Sequence, residues 1–154
     1  MDCSLISHHN KGKPGRNEGL RLLADAEQGR EAFIKPIESI CKGKKVYIIG
    51  NHEGWLEDIT DEMPQLEGIV ALPSLLKLQN WEIVPRGGLF NLGKLTFLHG
   101  DQLSGGEHVA KAAVTAYERS VRFGHFHTYS AYTKTSPVAY KNGKTGISVP
   151  CLCT

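Results

Sequence analysis

Three short apolar segments of this 154-residue chain each run directly into a turn that carries a histidine. The segments are Val46–Ile49, Leu95–Leu98 and Val121–Phe123. The turns after them read Gly50-Asn51-His52-Glu53, His99-Gly100-Asp101 and Gly124-His125-Phe126-His127. Short apolar runs rich in β-branched and aromatic residues are typical of buried strands, and in α/β folds ligands bind where neighbouring strands end. The pattern therefore predicts an α/β domain with a histidine-lined site at one edge of its sheet.

Helices and further strands are predicted around these segments, of which Val46–Ile49 is expected to be a buried central strand. Apolar residues at helical spacing predict a helix over Leu20–Cys41 that Pro36 kinks or divides. Two more helices are expected at Glu53–Glu62 and Glu107–Arg119, and two more strands at Trp81–Val84 and Tyr129–Thr133. A final hairpin is predicted in which Asn142-Gly143 joins Val138–Lys141 to Thr145–Val149, because both turn residues tolerate a positive φ. Strands and helices mixed in this way predict a layered α/β domain with a mixed sheet.

Composition and charge narrow the class of protein. With 40% hydrophobic and 22% charged residues, the chain is expected to be globular rather than disordered. Its 18 Lys and Arg against 16 Asp and Glu leave a net charge of +2, too small to indicate a nucleic-acid or anionic-membrane partner. No apolar run approaches the ~20 residues of a membrane helix, and Met1–Gly15 is polar rather than signal-like. The four cysteines form no Cys-x-x-Cys pair, so the sequence predicts a soluble cytoplasmic domain with free thiols.

The histidine-bearing turns are candidate metal sites, since four of the seven histidines of the chain lie in them. A single histidine after a strand is usually a surface or packed residue. Three strand ends with imidazoles, an asparagine amide and nearby carboxylates instead suit a borderline divalent metal such as Zn, Mn or Fe. A weaker candidate is the pair of Cys151 and Cys153, which could bind a soft metal but has no further ligand nearby in the sequence.

In their order along the chain, these residues resemble the calcineurin-like metallophosphoesterase superfamily, including its phage-type members. Gly50-Asn51-His52-Glu53 matches one motif of the family, His99 its next strand-end histidine, and Gly124-His125-Phe126-His127 its Gly-His-x-His motif. The resemblance extends from Tyr47 to Ser130. It implies a layered mixed β-sheet sandwich flanked by helices, which hydrolyses phosphomonoesters or phosphodiesters through a dinuclear metal centre.

The resemblance also implies a role for each matching residue. Asn51, His99 and His125 would bind one metal ion and His127 the other. His52 would be the catalytic residue beside the phosphate, binding it or protonating the leaving oxygen. Two ions ~3.5–4 Å apart would bind the phosphate between them and activate a water for in-line attack. Glu53 and Asp101 would accept imidazole N–H groups and so fix the orientation of the rings.

Two motifs of the family are absent from this chain. It contains no Asp-x-His and no Gly-Asp-x-x-Asp, which in the family supply the carboxylate shared by both ions and two further ligands. Asp2 falls where the last aspartate of the second motif would lie. The resemblance therefore implies a single domain, 1–154, that is incomplete at its N-terminus. It would hold at most one metal ion, because neutral amide and imidazole ligands do not offset the repulsion of two cations.

Two hypotheses remain open: a phosphoesterase whose missing motifs are encoded upstream, and a non-catalytic remnant that binds a metal or a partner. The expected partners are a phosphate-ester substrate, with nucleotides and nucleic acids among the candidates, and a second copy of the chain at an unpaired sheet edge. No membrane partner is expected. A nucleotide-binding P-loop at Gly88–Lys94 is disfavoured, because the required hydroxyl is missing at Leu95 and a strand rather than a helix is predicted to follow. The basic loop Lys11–Arg16 is either a phosphate contact or a flexible segment.

Overall fold

The computed structural model of the chain describes residues 21–136 and 142–150. Their contacts divide them into two units. The first contains the described residues up to Tyr47 together with Asn51–Ile83, and the second contains Ile48–Gly50 and the described residues from Val84 onward. Within the described ranges no helix is long and apolar enough to span a membrane. Cys41 is a free thiol. Several residues of the sequence analysis lie outside the described ranges, namely Met1–Gly15, Arg16, Leu20, Val138–Lys141, Cys151 and Cys153.

The first unit begins with a helix that changes its hydrogen-bonding pattern near its centre. α1 (Leu22–Gly29) continues through a π-helical turn, Arg30–Ile34, into α2 (Lys35–Ile40). Pro36 explains the change, because proline has no N–H to donate and its ring crowds the carbonyl of the residue four positions earlier. The helix predicted over Leu20–Cys41 is confirmed for its described part, together with its division near Pro36.

A part-buried polar network fixes this helix within the first unit. The Nη1 of Arg30 donates to the carbonyl oxygen of Leu76 at 2.8 Å, and its Nη2 lies 3.4 Å from the Oε2 of Glu38. Glu38 in turn accepts the indole N–H of Trp81 at 3.1 Å. The guanidinium of Arg30 therefore has a carboxylate as its counter-ion, as a buried charge requires.

The helix α3 (Asn51–Glu62) begins earlier than the predicted Glu53, so Asn51 and His52 lie in its first turn. It ends before Pro64, as the sequence predicts. A 3₁₀ turn, Pro64–Leu66, and the short helix α4 (Leu72–Leu75) follow it.

The first two strands, β1 (Val46–Ile48) and β2 (Glu82–Val84), form a two-stranded sheet. Both positions agree with the predicted strands. The prediction that Val46–Ile49 forms a buried central strand is wrong, because β1 pairs with β2 alone among the described strands and its residues are half-buried. A continuous apolar run identifies a strand, but it does not identify the neighbours of that strand.

A five-stranded mixed sheet forms the main part of the second unit. Its strands are β3 (Phe90–Leu92), β4 (Leu95–Leu98), β5 (Ser120–Phe123), β6 (Ser130–Lys134) and β7 (Lys144–Ser148), in the spatial order β3-β4-β5-β7-β6. The strands β4, β5 and β7 are parallel, and β3 and β6 pair antiparallel at the two edges. The predicted α/β class with a mixed sheet is therefore confirmed.

The helix α5 (Val109–Tyr117) connects β4 to β5 and packs on one face of this sheet. Its buried residues Val109, Ala110 and Ala113 form one apolar cluster with Leu98, Val121 and Phe123. A Cβ on Gly146 of β7 would overlap the carbonyl oxygen of Ala110 and lie 2.9 Å from the Cγ2 of Val114, so only glycine fits there. Because side chains alternate along a strand, Leu95, Phe97 and Arg122 project from the opposite face of the sheet.

Two strand predictions are corrected by this topology. β7 pairs with β6, in a register from Ser130 opposite Ser148 to Lys134 opposite Lys144. Residues 135–143 connect them, so the predicted two-residue hairpin at Asn142-Gly143 is wrong, and its proposed first strand, Val138–Lys141, lies outside the described residues. The unpredicted strand β3 forms a hairpin with β4 through Gly93, which has a φ of +58°. A strand and a turn therefore occupy Gly88–Lys94, in agreement with the exclusion of a P-loop.

Candidate metal centre

The structure brings together two of the predicted ligands, His99 and His125, at the carboxyl ends of adjacent parallel strands. β4 and β5 are in register at Leu98 and Phe123, and the Gly124 N–H then donates to the His99 carbonyl oxygen at 2.8 Å. The two imidazole centroids lie 5.2 Å apart with an interplanar angle of 71°. Both residues are half-buried. The convergence of strand ends that the sequence predicts is observed for this pair.

His125 occupies a strained turn. Its φ of +68° lies in the left-handed region, and the Phe126 N–H donates to the Gly124 carbonyl oxygen at 2.9 Å, which closes a γ-turn. Holding a residue with a β-carbon in this region costs on the order of 1–3 kcal/mol, so such a conformation persists only where neighbouring structure enforces it. The turn is therefore a feature that the rest of the second unit must maintain.

The side chain of Phe126 provides this support. Its ring packs edge-on against Phe123, with centroids 6.0 Å apart, and borders the apolar cluster beneath α5. The same ring lies edge-on to the His125 imidazole at a centroid distance of 5.2 Å. Phe126 thus anchors the γ-turn to the core and contacts the imidazole that the turn presents. Phe126 was not predicted as a site residue, and the available signal in the sequence was an aromatic residue between two histidines.

Gly100 allows the turn after β4 to approach the turn after β5. It is buried, with a φ of +117° that side chains rarely adopt. A Cβ at this position would lie 3.1 Å from the Gly124 carbonyl oxygen, 3.2 Å from the Cδ2 of Phe123 and 3.4 Å from the Cβ of His125. Any larger residue would therefore push against the turn that holds His125.

Asp101, one of the predicted acceptors for an imidazole N–H, pairs instead with an arginine. Its Oδ2 lies 3.7 Å from the Nε of Arg86. Its Oδ1 is buried and has no hydrogen-bond partner within the described part of the chain. A buried acceptor left without a partner costs about 1–3 kcal/mol, and more when it is charged. An unsatisfied carboxylate oxygen two residues after His99 is the kind of group that a nearby cation would stabilise.

Asn51 and His52 lie in the first unit, in the first turn of α3. The His52 imidazole stacks on the indole of Trp55, with centroids 4.4 Å apart and an interplanar angle of 20°. Trp55 is buried, so the stack fixes the orientation of the imidazole. Glu53 accepts the Tyr47 hydroxyl at 3.1 Å. The role of Trp55 was missed in the sequence, where the available signal was an aromatic residue three positions after a helix-start histidine.

His127 is placed differently from His125. It also has a left-handed backbone, with a φ of +59°, but its side chain is exposed. It makes no ring contact with His99 or His125 and no hydrogen bond to other described residues. Of the four predicted metal ligands, the second unit therefore brings together His99 and His125, and leaves His127 on the surface.

The geometry of the His99 and His125 pair is compatible with binding one cation. A metal ~2.0–2.1 Å from one nitrogen of each ring would place the centroids roughly 4.5–5.2 Å apart at bond angles of ~90–109°. The observed separation is 5.2 Å. No group of three or more His, Cys, Asp or Glu side chains arranged to hold a metal ion occurs among residues 21–136 and 142–150. The predicted set of Asn51, His99 and His125 contains two such side chains and one amide.

Comparison with known proteins adds no relative to this picture. No protein-family model matches the chain, and no curated protein or solved structure matches it significantly.

Proposed function

We propose that this chain is a metal-dependent phosphoesterase of the calcineurin-like type, acting on phosphomonoesters or phosphodiesters. The observation that carries the proposal is the His99 and His125 pair, which a strained γ-turn and a close-fitting glycine hold at adjacent parallel strand ends. Strain of this kind concentrates at functional sites. The order of the Gly-Asn-His-Glu, strand-end His and Gly-His-x-His motifs along the chain supports the same interpretation. A metallophosphoesterase sandwich fold is part of the proposal.

In this proposal, His99 and His125 hold one divalent ion of Mn, Zn or Fe, and Asn51 and His127 keep the ligand roles that the order of the motifs implies for them. A bound ion would supply charge neutralisation at the phosphate and activation of a water. The unsatisfied Oδ1 of Asp101 contributes negative charge that favours a cation beside His99. Because the other ligands are neutral, at most one ion per chain is expected to bind, and weakly.

His52 is the proposed catalytic residue. Its imidazole binds the phosphate or donates a proton to the leaving oxygen, and the stack on Trp55 keeps the ring in one orientation. A phosphate ester is the proposed substrate class, with nucleotides and nucleic acids among its members. A cytoplasmic location and self-association of the chain belong to the same proposal.

The test measures Mn²⁺ binding by calorimetry and hydrolysis of two chromogenic substrates, an aryl phosphomonoester and a bis-aryl phosphodiester. We expect His99→Ala and His125→Ala to lose metal and turnover together. His52→Ala should retain metal and lose turnover by ~10²–10⁴-fold, as for other positioned acid–base groups. The control is His108→Ala, an exposed histidine in the 3₁₀ turn before α5, which should change neither quantity.

The outcomes distinguish the phosphoesterase from the non-catalytic remnant and test the site itself. Metal binding that depends on His99 and His125 without hydrolysis of either substrate would favour the non-catalytic remnant, a module that binds a metal or a partner. Hydrolysis that survives both His99→Ala and His125→Ala would overturn the proposed site. An absence of both metal binding and hydrolysis would overturn the proposal and its alternative metal-binding role.

A further inference from the structure

The face of the five-stranded sheet opposite α5 carries a cavity of about 440 Å³ within the second unit. Leu95 and Phe97 on β4 line it, together with Leu98, Phe123 and Gly124 at the ends of β4 and β5. Among the described residues that line it, Arg122 on β5 is the one charged residue. Val121 and Phe123, on either side of Arg122, belong to the cluster beneath α5, so the guanidinium projects into the opposite face.

Within the described part of the chain, the guanidinium of Arg122 has no carboxylate as a counter-ion. It is half-buried, and its Nη1 donates to the carbonyl oxygens of Val121 at 3.0 Å and Thr145 at 3.2 Å. Within the described residues no carboxylate lies within ion-pair distance of it, and its Nε and Nη2 have no hydrogen-bond acceptor. Arginine carries five N–H donors in a planar fork, so donors remain available for a second group.

Among the described residues Arg30 is the other half-buried arginine, and Glu38 lies beside its guanidinium as a counter-ion. Apolar side chains around a half-buried cation weaken its hydration, so an anion that reaches the guanidinium gains a favourable contact there. The absence of a described partner for Arg122, combined with the cavity around it, therefore indicates a ligand with a negative charge.

We infer that this cavity binds an amphipathic anion, with an apolar chain against Leu95 and Phe97 and a carboxylate or phosphate head on Arg122. The volume lies in the range of about 300–1,000 Å³ that is usual for small-molecule sites, and apolar walls with one convergent polar group are the usual composition. The planar guanidinium suits a bidentate contact with either head group. This site goes beyond the proposed phosphoesterase activity and does not depend on a metal ion.

The experiment measures binding of octanoate, octyl phosphate and 1-octanol to the full 154-residue chain by calorimetry, with EDTA present so that metal ions play no part. We expect at least one of the two anions to bind at least tenfold more tightly than the alcohol of the same chain length. The ratio between octanoate and octyl phosphate distinguishes a carboxylate-headed ligand from a phosphate-headed one.

Three variants locate the site. Arg122→Met should lower the affinity for both anions at least tenfold and leave the affinity for 1-octanol unchanged. Arg122→Lys should restore part of the affinity for the anions. Phe97→Ala should lower the affinity for all three probes, because each of them contacts the apolar wall. Arg119→Met is the matched control, since Arg119 is exposed and its side chain bonds the Gly93 carbonyl oxygen outside the cavity lining.

The inference fails if 1-octanol binds as tightly as both anions, if Arg122→Met leaves anion affinity unchanged, or if none of the probes binds. A thermal melt of each variant checks that the fold is retained, and an unchanged affinity of Arg122→Met for 1-octanol shows that its cavity is intact. Because neither metal nor turnover enters the measurement, failure here is distinct from failure of the phosphoesterase proposal.

Discussion

The two units of the molecule fix a histidine in contrasting ways. In the first unit, His52 has a regular helical position, and the neighbouring ring of Trp55 orients it within one turn of α3. In the second unit, His125 has a left-handed backbone that is unfavourable for a residue with a β-carbon and is supported by Phe126, which packs against the core. The first arrangement includes a contact within one helical turn. The second depends on tertiary structure.

The largest effect is expected when the anchor of the strained turn is removed. Phe126→Ala should lower the free energy of unfolding by about 2–3 kcal/mol, near the lower end for buried phenylalanines, because the ring is only partly buried. The measurement is urea denaturation followed by circular dichroism. In the same variant, the NMR signals of the His125 imidazole should broaden or shift, while those of His52 should not.

Tyr129→Ala is the control, because Tyr129 is an exposed aromatic residue a few positions later in the same segment. It should change stability by less than about 0.5 kcal/mol, as surface substitutions usually do. A Phe126→Ala variant as stable as Tyr129→Ala would show that the γ-turn does not depend on the core, and the contrast between the two units would disappear.

An intermediate effect on stability is expected from a substitution at Gly100. Its comparison with a second glycine distinguishes the cost of backbone strain from the cost of steric contact. Gly100→Ala should destabilise the protein by about 2 kcal/mol, because its backbone disfavours a side chain and its Cβ would contact Gly124, Phe123 and His125. Gly68→Ala is the matched control in the first unit, where φ is +77° but nothing lies within 4 Å of the added Cβ. Gly68→Ala should lower the free energy of unfolding by about 1 kcal/mol, which is the cost of the backbone strain alone. Equal losses in both variants would mean that the close approach around Gly100 does not contribute.

The smallest effect is expected when a histidine is replaced by glycine. The free energy of unfolding should rise for the substitution in the second unit and fall for the one in the first unit. His127→Gly should raise the free energy of unfolding by about 0.5–1 kcal/mol, since glycine adopts the left-handed φ of +59° without strain and the exposed side chain makes few contacts. His52→Gly should lower it by about 1 kcal/mol, because glycine weakens the helix and the stack on Trp55 is lost. Paired denaturation curves test this, and a loss of stability in both variants would contradict the strain at His127.

Sequence patterns identified most elements because their determinants are local. The end of α3 follows from Pro64, the change inside the first helix from Pro36, and β5 from a short apolar run before a glycine. The hairpin at Asn142-Gly143 was predicted wrongly because a good local turn competes with the long-range pairing of β6 and β7, which the sequence does not display. β3 was missed because Phe90-Asn91-Leu92 is too short to show alternation.

In the candidate site, too, some features could be predicted from the sequence and others could not. The meeting of His99 and His125 could be predicted, since both follow strands that were recognisable and parallel strands end at the same edge. The γ-turn could not, because His125 is not a glycine and nothing local marks it as left-handed. The stack of His52 on Trp55 required knowing that α3 begins at Asn51 rather than at Glu53.

The order of strands in the second unit has a consequence for how the protein folds. β7 is inserted between β5 and β6, although β6 precedes it in the chain, so β6 has no neighbour in the sheet until β7 is in place. The hairpin of β3 and β4 and the crossover through α5 involve nearby residues, whereas pairing of β5 with β7 must close a longer loop. We expect β6 and β7 to dock together as the final step of folding, and a chain still lacking Lys144–Ser148 during synthesis would keep one side of β5 open to a wrong partner.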